Sequence, residues 1–470
     1  MPAIKTLLCL LLPLAAIAQS ADDNMRRVEN GLMPWVQFQD QQPMRFSVEE
    51  RLKALEIPGV TVGVIRNYKL EWAKGYGYAD KEENRPVTTE TLFQAASISK
   101  SLNAVAILKL VQDGRLKLDE DINTYLKTWH PELNKGTITL AHLLSHTAGL
   151  TIHGFPGYET TDNLPTTEQI LRGAKPANTS EVRPFGSPGE KFQYSGGGTT
   201  VTQLILTTIT GEPYEKYLQT AVLNPMGMTQ SFFSQPPPND KANLLATAYV
   251  GEGKPAKGKY HVYPEQGAAG LWTNPTDLAK YIIETQLAKE GKSSKVLSQS
   301  MTQTRLTPYL NPNSALGVFM SREGRWFNHN GGNYGFACVY YGSMEGGNGF
   351  VIMTNCNNYM IIDEIARAIG NVYQWKDFQD EEKLPLLPVL PDSLSRKYAG
   401  SYVEKTTKVK ISSAEEGLRA SFNDGQPFKM FFTHPDRFVI TETQAFFTFK
   451  GDTLLFKSGP RERKFLREVK

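Results

Sequence analysis

The stretch Phe93-Gln-Ala-Ala-Ser-Ile-Ser-Lys-Ser-Leu-Asn-Ala-Val-Ala-Ile-Leu-Lys-Leu-Val-Gln-Asp-Gly114 reads as a turn feeding a helix, with Ser97 and Lys100 at its start. Leu102, Val105, Ala106, Ile107, Leu110 and Val111 recur at helical spacing around most of the circumference, which predicts a buried helix. Gly114 is placed to follow its C-terminus. A serine and a lysine three apart share one helix face, about one turn apart. The amine then lies within reach of the hydroxyl, in surroundings where its charge is costly, and a neutral lysine can take a proton from serine. Backbone N–H groups at a helix start have no intrahelical partner and suit an oxyanion. Ser-x-x-Lys alone also describes an N-cap serine followed by a solvated lysine, so partners elsewhere in the chain must decide.

The chain has 470 residues, 21% charged and 40% hydrophobic, which is globular composition with length for a large core and more than one domain. A formal charge of +3 implies no nucleic-acid or membrane-surface partner. The basic tail from Arg461 is interleaved with Glu462 and Glu468 and reads as a solvated strand face. Residues 1–18 have the form of a secretory signal: Lys5, an apolar run from Leu7 to Ala16, and Ala16-Ile17-Ala18 as a cleavage site. The expected mature protein is soluble, secreted or periplasmic, with no membrane span after signal removal. Cys338 and Cys356 then remain, on a hairpin turning around Glu345 to Asn348. A disulfide and two free thiols are both compatible with that placement.

Taken in order, a polar lead-in, expected to be loosely ordered, precedes a helix from Val48 to Leu55 and a hairpin of Gly59–Arg66 with Leu70–Tyr78. Residues 137–150 predict a short apolar helix closed by Gly149. His142 and His146, four apart within it, have the spacing of a metal pair but lack the acidic neighbour and third ligand, so packing and capping are expected of them. A loop-rich region, 151–189, is a candidate cleft wall. Tyr194 stands just before Gly196, Gly197 and Gly198, where an apolar helix begins and backbone or ligand can approach closely. A tyrosine at such a constriction is a candidate proton carrier. His329 and the pair Gly331-Gly332 open the cysteine hairpin, and a glycine-rich strand edge can offer N–H groups to an oxyanion. Residues 380–392 carry three prolines and read as linker. Beyond them, short alternating segments (Lys408–Ser412, Leu418–Phe422, Phe428–Phe432, Arg437–Thr441, Ala445–Phe449, Leu454–Lys457) suggest a small antiparallel barrel.

Ser97-Ile-Ser-Lys100, Tyr194-Ser-Gly196 and His329-Asn-Gly331, in this order and about a hundred residues apart, together resemble the active-site elements of serine β-lactamase-like hydrolases and penicillin-binding proteins. The flanking His142-Leu-Leu-Ser-His-Thr-Ala-Gly-Leu150 and Asn224-Pro-Met-Gly-Met228 agree. The similarity is to the class C β-lactamase and D,D-peptidase-like branch and spans roughly residues 45–375.

The resemblance implies an α+β fold (an α/β sandwich): an antiparallel sheet covered by helices beside an all-helical subdomain, followed by the small barrel. Expected boundaries are a signal at 1–18, a hydrolase domain at 25–378, a proline-rich linker at 379–392 and a barrel at 393–470. By the same resemblance Ser97 attacks a carbonyl and is acylated, while Lys100 and Tyr194 exchange the proton. Backbone N–H groups of Ser97 and Gly332 form the oxyanion hole, and Ser195, Gly196, His329 and Gly331 contact substrate. A cationic His329 beside Lys100 would favour a neutral amine. No metal or organic cofactor is implied; the partner is a small ester, amide or peptide substrate.

Two positions depart from the family pattern. Gly196 stands where an Asn side chain usually meets the substrate amide, and His329 stands where a permanent lysine cation usually holds a substrate carboxylate. Both changes weaken the case for an efficient β-lactamase and leave esterase or peptidase activity open. A receptor, sensor or D,D-carboxypeptidase that is acylated but deacylates slowly is the alternative. No Gly-x-Ser-x-Gly elbow occurs, which excludes the α/β-hydrolase route to an esterase.

Overall fold

The computed structural model describes residues 21–132, 136–251, 253–387, 392–414, 417–423, 425, 427–458 and 461–468. The expected signal segment, 1–18, and its cleavage site after Ala18 lie outside them. The described chain divides into two compact units, one containing Glu49–Ile362 and the other Asp23–Val48 with Asp363–Lys470. The contacts thus group the lead-in with the C-terminal barrel rather than with the hydrolase span that follows it in sequence.

In the first unit, Gly59–Arg66 and Lys69–Asp80 form the expected hairpin. Asn67 and Tyr68 both have left-handed φ, 52° and 62°, which is the two-residue turn whose twist matches antiparallel strands. Gly59–Arg66 does not alternate in burial: it is covered through Ile65, because it lies inside a seven-stranded antiparallel sheet. Its other neighbour is Gly349–Thr354, followed outward by Phe336–Ser343, Trp326–Asn333 and Phe319–Ser321. The N- and C-terminal parts of the unit therefore share one sheet. The helix Pro275–Lys289 packs on it, and a Cβ on Gly342 would lie 2.8 Å from Ile282, so only glycine lets helix and sheet close to this distance.

The quoted stretch forms a strand, Phe93–Ala96, and a helix, Ser99–Gln112, with Gly114 at φ 73° beyond its end. The helix is buried on all sides from Ser99 to Leu108, as its apolar pattern requires. It packs among Gly196–Thr210, Gln266–Ala269 and Gln299–Leu306. The strand pairs with Leu271–Thr273, and Ala96, at φ 54°, turns the chain abruptly from strand into helix at Ser97. His142 closes a capping box with Thr139, and Gly149 adopts φ 66°. Cys338 faces Met353 across the hairpin, so the register does not oppose the two cysteines; both are free thiols.

The second unit is built on a nine-stranded antiparallel sheet whose order runs from Phe428–Lys429 round to Phe431–His434, a nearly closed barrel. The segment expected as one strand from Phe428 to Phe432 is split at Met430, and its halves form the two ends of the sheet. Gly400–Glu404 and Arg461–Arg467 complete the ring by pairing Tyr402 with Arg467. The basic tail is thus a strand. Aromatic rings fill the interior, with Tyr398 stacked on Phe449 at 3.8 Å and Phe438 on Phe447 at 4.7 Å.

The lead-in is ordered, against expectation. Residues 21–29 are helical, and Val36–Phe38 pairs in parallel with Glu382–Leu384, which lies in the proline-rich stretch read as linker. Trp35, Val36 and Phe38 pack against Val439, and Trp35 Nε1 donates to Ile440 O at 3.2 Å. The lead-in looked polar because few apolar side chains anchor it, but these few are large and buried. Trp35→Ala should therefore destabilise this unit by about 3–5 kcal/mol. Hydrogen exchange in Arg437–Ile440 and Thr443–Lys450 measures it, and unchanged protection there would refute the anchoring role.

Candidate active site

Ser97, Lys100 and Tyr194 come together on one cleft of about 700 Å³, although Tyr194 is nearly a hundred residues from the other two. Lys100 is 3% exposed. Its Nζ lies 3.1 Å from Ser97 Oγ, 2.7 Å from the carbonyl oxygen of Ala268 and 5.1 Å from the centre of the Tyr194 ring. The amine is thus tied to the nucleophile on one side and to the short helix Gln266–Ala269 on the other. Among the described residues, no hydrogen bond links the Tyr194 hydroxyl to Ser97 or Lys100.

The strand Trp326–Asn333 brings the third element. Phe319–Ser321 pairs with Trp326, Phe327 and Asn328 but not beyond, which leaves the edge from His329 onward open on the cleft that Ser97 lines. Asn330, Gly332 and Asn333 line the cleft. Gly331 is packed beneath it: a Cβ there would lie 2.2 Å from Ala95 O and 2.7 Å from Cys338 Sγ. The absence of a side chain lets the edge strand press against the strand that leads into Ser97. Cys338 Sγ lies 3.3 Å from the Ala95 oxygen, and burial pushes its thiol up, which suits a packing role.

Other expected contact residues are placed elsewhere. Ser195 is the N-cap of Gly196–Thr210: its Oγ accepts from Gly198 N and donates to Thr151 O at 2.8 Å. Gly196 is buried beneath Phe155, 3.0 Å from where its Cβ would be, and its N–H donates to His153 O. Neither residue lines the cleft. His329 is 1% exposed, with its ring 6.2 Å from Tyr194 and 4.8 Å from Phe319. Burial, and secondarily the Lys100 charge, hold its imidazole down at about 3. It is therefore neutral at physiological pH, and a cationic His329 acting on Lys100 is ruled out by desolvation. Its Nδ1 meets Asn330 O at 2.6 Å, while Nε2 has no partner among the described residues.

Several further neighbours of the site carry no assigned catalytic or binding role in the sequence. His146, at φ 60°, places its ring 4.3 Å from Tyr194 and accepts the Ser195 N–H at Nδ1. Burial keeps it well below the usual imidazole range, so it too is neutral and acts as packing. His153 and Phe155, from the loop expected to shape the cleft, form part of its wall together with Phe192 and Phe319. Tyr359, at the start of the helix Tyr359–Tyr373, also lines it and donates to Gly331 O at 2.7 Å. The sequence marks His146 for packing and 151–189 as a cleft wall, and Phe192 stands two residues before Tyr194, whereas Phe319 and Tyr359 carry no local pattern.

Residues 47–372 match the Beta-lactamase family, more than half of the chain. Protein flp of Staphylococcus aureus (strain N315) is 26% identical over 329 residues, covering 68% of this chain and 62% of that protein. The chain thus spans about three-fifths of that relative's length. Putative penicillin-binding protein PbpX of Bacillus subtilis (strain 168) is 29% identical over 329 residues, covering 68% of this chain and 76% of that one. Among solved structures, the octameric penicillin-binding protein homologue from Pyrococcus abyssi has a TM-score of 0.62 at 22% identity. It covers 88% of this chain and 97% of its own, a likeness of fold.

Glu265, immediately before Gln266–Ala269, is fully buried, and neither carboxyl oxygen has a partner among the described residues. Burial pushes its carboxyl up to about 8 from the ordinary 4.5. Between those values the folded protein holds a proton that the unfolded chain has released, so stability falls as pH rises and levels off above about 8. Glu265→Gln removes this dependence. The Tm difference between variant and parent should grow from pH 5 to pH 8, and a difference independent of pH would refute a buried neutral acid.

Proposed function

We propose, on the premise that the chain belongs to the Beta-lactamase family, that it is an exported serine hydrolase acylated at Ser97 by a small ester or amide. The 3.1 Å contact between Lys100 Nζ and Ser97 Oγ, beneath a cleft with an open strand edge, carries this reading. Ser97 Oγ attacks the carbonyl carbon, and its proton passes to Lys100 in the free-amine form. The backbone N–H groups of Ser97 and Gly332 receive the oxyanion. The leaving group departs with a proton supplied from Lys100 through Tyr194, whose ring lies against the amine. Water, deprotonated by the same pair, then attacks the acyl carbon; the bond to Ser97 Oγ breaks, and that proton returns to Oγ as the acid leaves. The form of residues 1–18 supports the exported part of this reading.

The free Tyr194 hydroxyl favours one second reading. If the relay to Ser97 does not assemble after acylation, release is slow and the protein is a penicillin-binding receptor or D,D-carboxypeptidase.

Ser97→Ala should abolish turnover of an activated phenyl ester, by at least about 10³-fold, and Lys100→Ala should lower kcat by about 10²–10⁴-fold. Intact mass after exposure to the ester and, separately, to benzylpenicillin separates the readings. Ester turnover without a lasting adduct supports the hydrolase; a stable adduct on Ser97 supports the receptor. Full turnover by Ser97→Ala overturns both. The secreted chain should begin at Gln19, which N-terminal sequencing of exported protein checks, and an intact Met1 there would refute export by cleavage.

A further inference from the structure

On the strand side of the cleft Tyr359 and Asn333 have already committed their side-chain protons, while the exposed Asn330 keeps its amide. Tyr359 Oη donates to Gly331 O at 2.7 Å, so only its lone pairs remain for a ligand. This oxygen stands over Gly332, 2.8 Å from where a Cβ would be, beside the N–H assigned to the oxyanion. Asn333 Nδ2 donates to Gln94 Oε1 at 2.8 Å and to Ala269 O at 3.1 Å. Ala269 O is an unambiguous acceptor, so the amide nitrogen must face it, and Oδ1 is what Asn333 has left. Both residues line the cleft.

Apart from the Asn330 amide, the rest of the lining supplies little that an anion could use. No Arg, Asp or Glu lines the cleft among the described residues, and Lys100 and His153 are its potential cations. Lys100 is held by Ser97 and Ala268. His329 is buried out of the lining and neutral. Much of the remaining wall is aromatic, from Phe155, Phe192, Tyr194 and Phe319. At Tyr359 and Asn333 a carboxylate, which only accepts hydrogen bonds, would lose water and meet lone pairs. An amide N–H would find acceptors.

Resting on the acyl-enzyme reading of Ser97, we infer that the strand side of the cleft selects acyl donors presenting a hydrogen-bond donor rather than a carboxylate to Tyr359 and Asn333. Tyr359 is the specificity-determining residue. The substrate class is a neutral, amide-bearing ester or amide with an apolar or aromatic acyl part, rather than one with a free carboxylate beside the scissile bond.

Two benzoylglycyl thioesters, of mercaptoacetamide and of mercaptoacetic acid, differ only in carboxamide against carboxylate, and released thiol reads both. Phenyl acetate, which has neither group, reads the Ser97 machinery. The carboxamide should be hydrolysed with kcat/KM at least about tenfold higher, the order of one hydrogen bond. Tyr359→Phe should lower that ratio about tenfold, chiefly through the carboxamide. Tyr359→Lys, which places a cation over Gly332, should raise kcat/KM for the carboxylate, a gain that damage cannot mimic. Equal or better turnover of the carboxylate by the parent, or an unchanged ratio in both variants, overturns the inference while phenyl acetate turnover keeps the hydrolase reading. Failure of the parent to hydrolyse any of the three overturns both.

Discussion

The site depends on how one lysine amine is held. Lys100 is almost excluded from water, yet its Nζ reaches both the Ser97 hydroxyl and the carbonyl of Ala268. A buried amine is tolerable only where polar groups replace its hydration. The surrounding elements meet this condition: the buried helix carries the lysine, the turn at Ala96 aims the serine, and Gln266–Ala269 supplies the oxygen. The pairing of Phe93–Ala96 with Leu271–Thr273 fixes these pieces to each other. Gly331, with no side chain, lets the edge strand close against Ala95. Nucleophile, amine and strand edge are thus positioned by backbone packing together with buried polar side chains: Ser99 ties Ala96 to Leu271, Ser101 meets Tyr340, and Asn333 holds the edge strand to Gln94 and Ala269.

Around that amine the site avoids further charge. His146 and His329 are both kept neutral by burial and contribute rings and packing. Tyr194 lies against His146 and His153, with the lysine amine over its ring face. Aromatic walls of this kind suit apolar substrate parts and make each remaining polar group selective, because an unpaired polar atom is costly where water is scarce.

The second unit shows how a few large side chains can order a polar segment. Trp35, Val36 and Phe38 bind residues near the N-terminus to strands near the C-terminus, and the parallel pairing with Glu382–Leu384 adds backbone hydrogen bonds. Barrel near-closure occurs where Phe428–Lys429 and Phe431–His434 part at Met430, so nearly every strand has a neighbour on both sides. No helix among the described residues is long and apolar enough to cross a membrane.

Local patterns carried a large part of this protein. The apolar repeat from Leu102 to Val111 determined a buried helix, alternation and turn residues marked the hairpin and most barrel strands, and the order of Ser97-x-x-Lys100, Tyr194 and His329-x-Gly331 pointed to one cleft. These features are legible because each rests on a short-range rule: a helix period, a turn conformation, a motif spacing. The tertiary structure alone decided the protonation of His329, the cap role of Ser195, the burial of Gly196, the packing of the lead-in on the barrel and the arrival of Tyr359 over Gly332. Those depend on desolvation and on contacts between residues far apart in the chain, and neither leaves a periodic trace in the sequence.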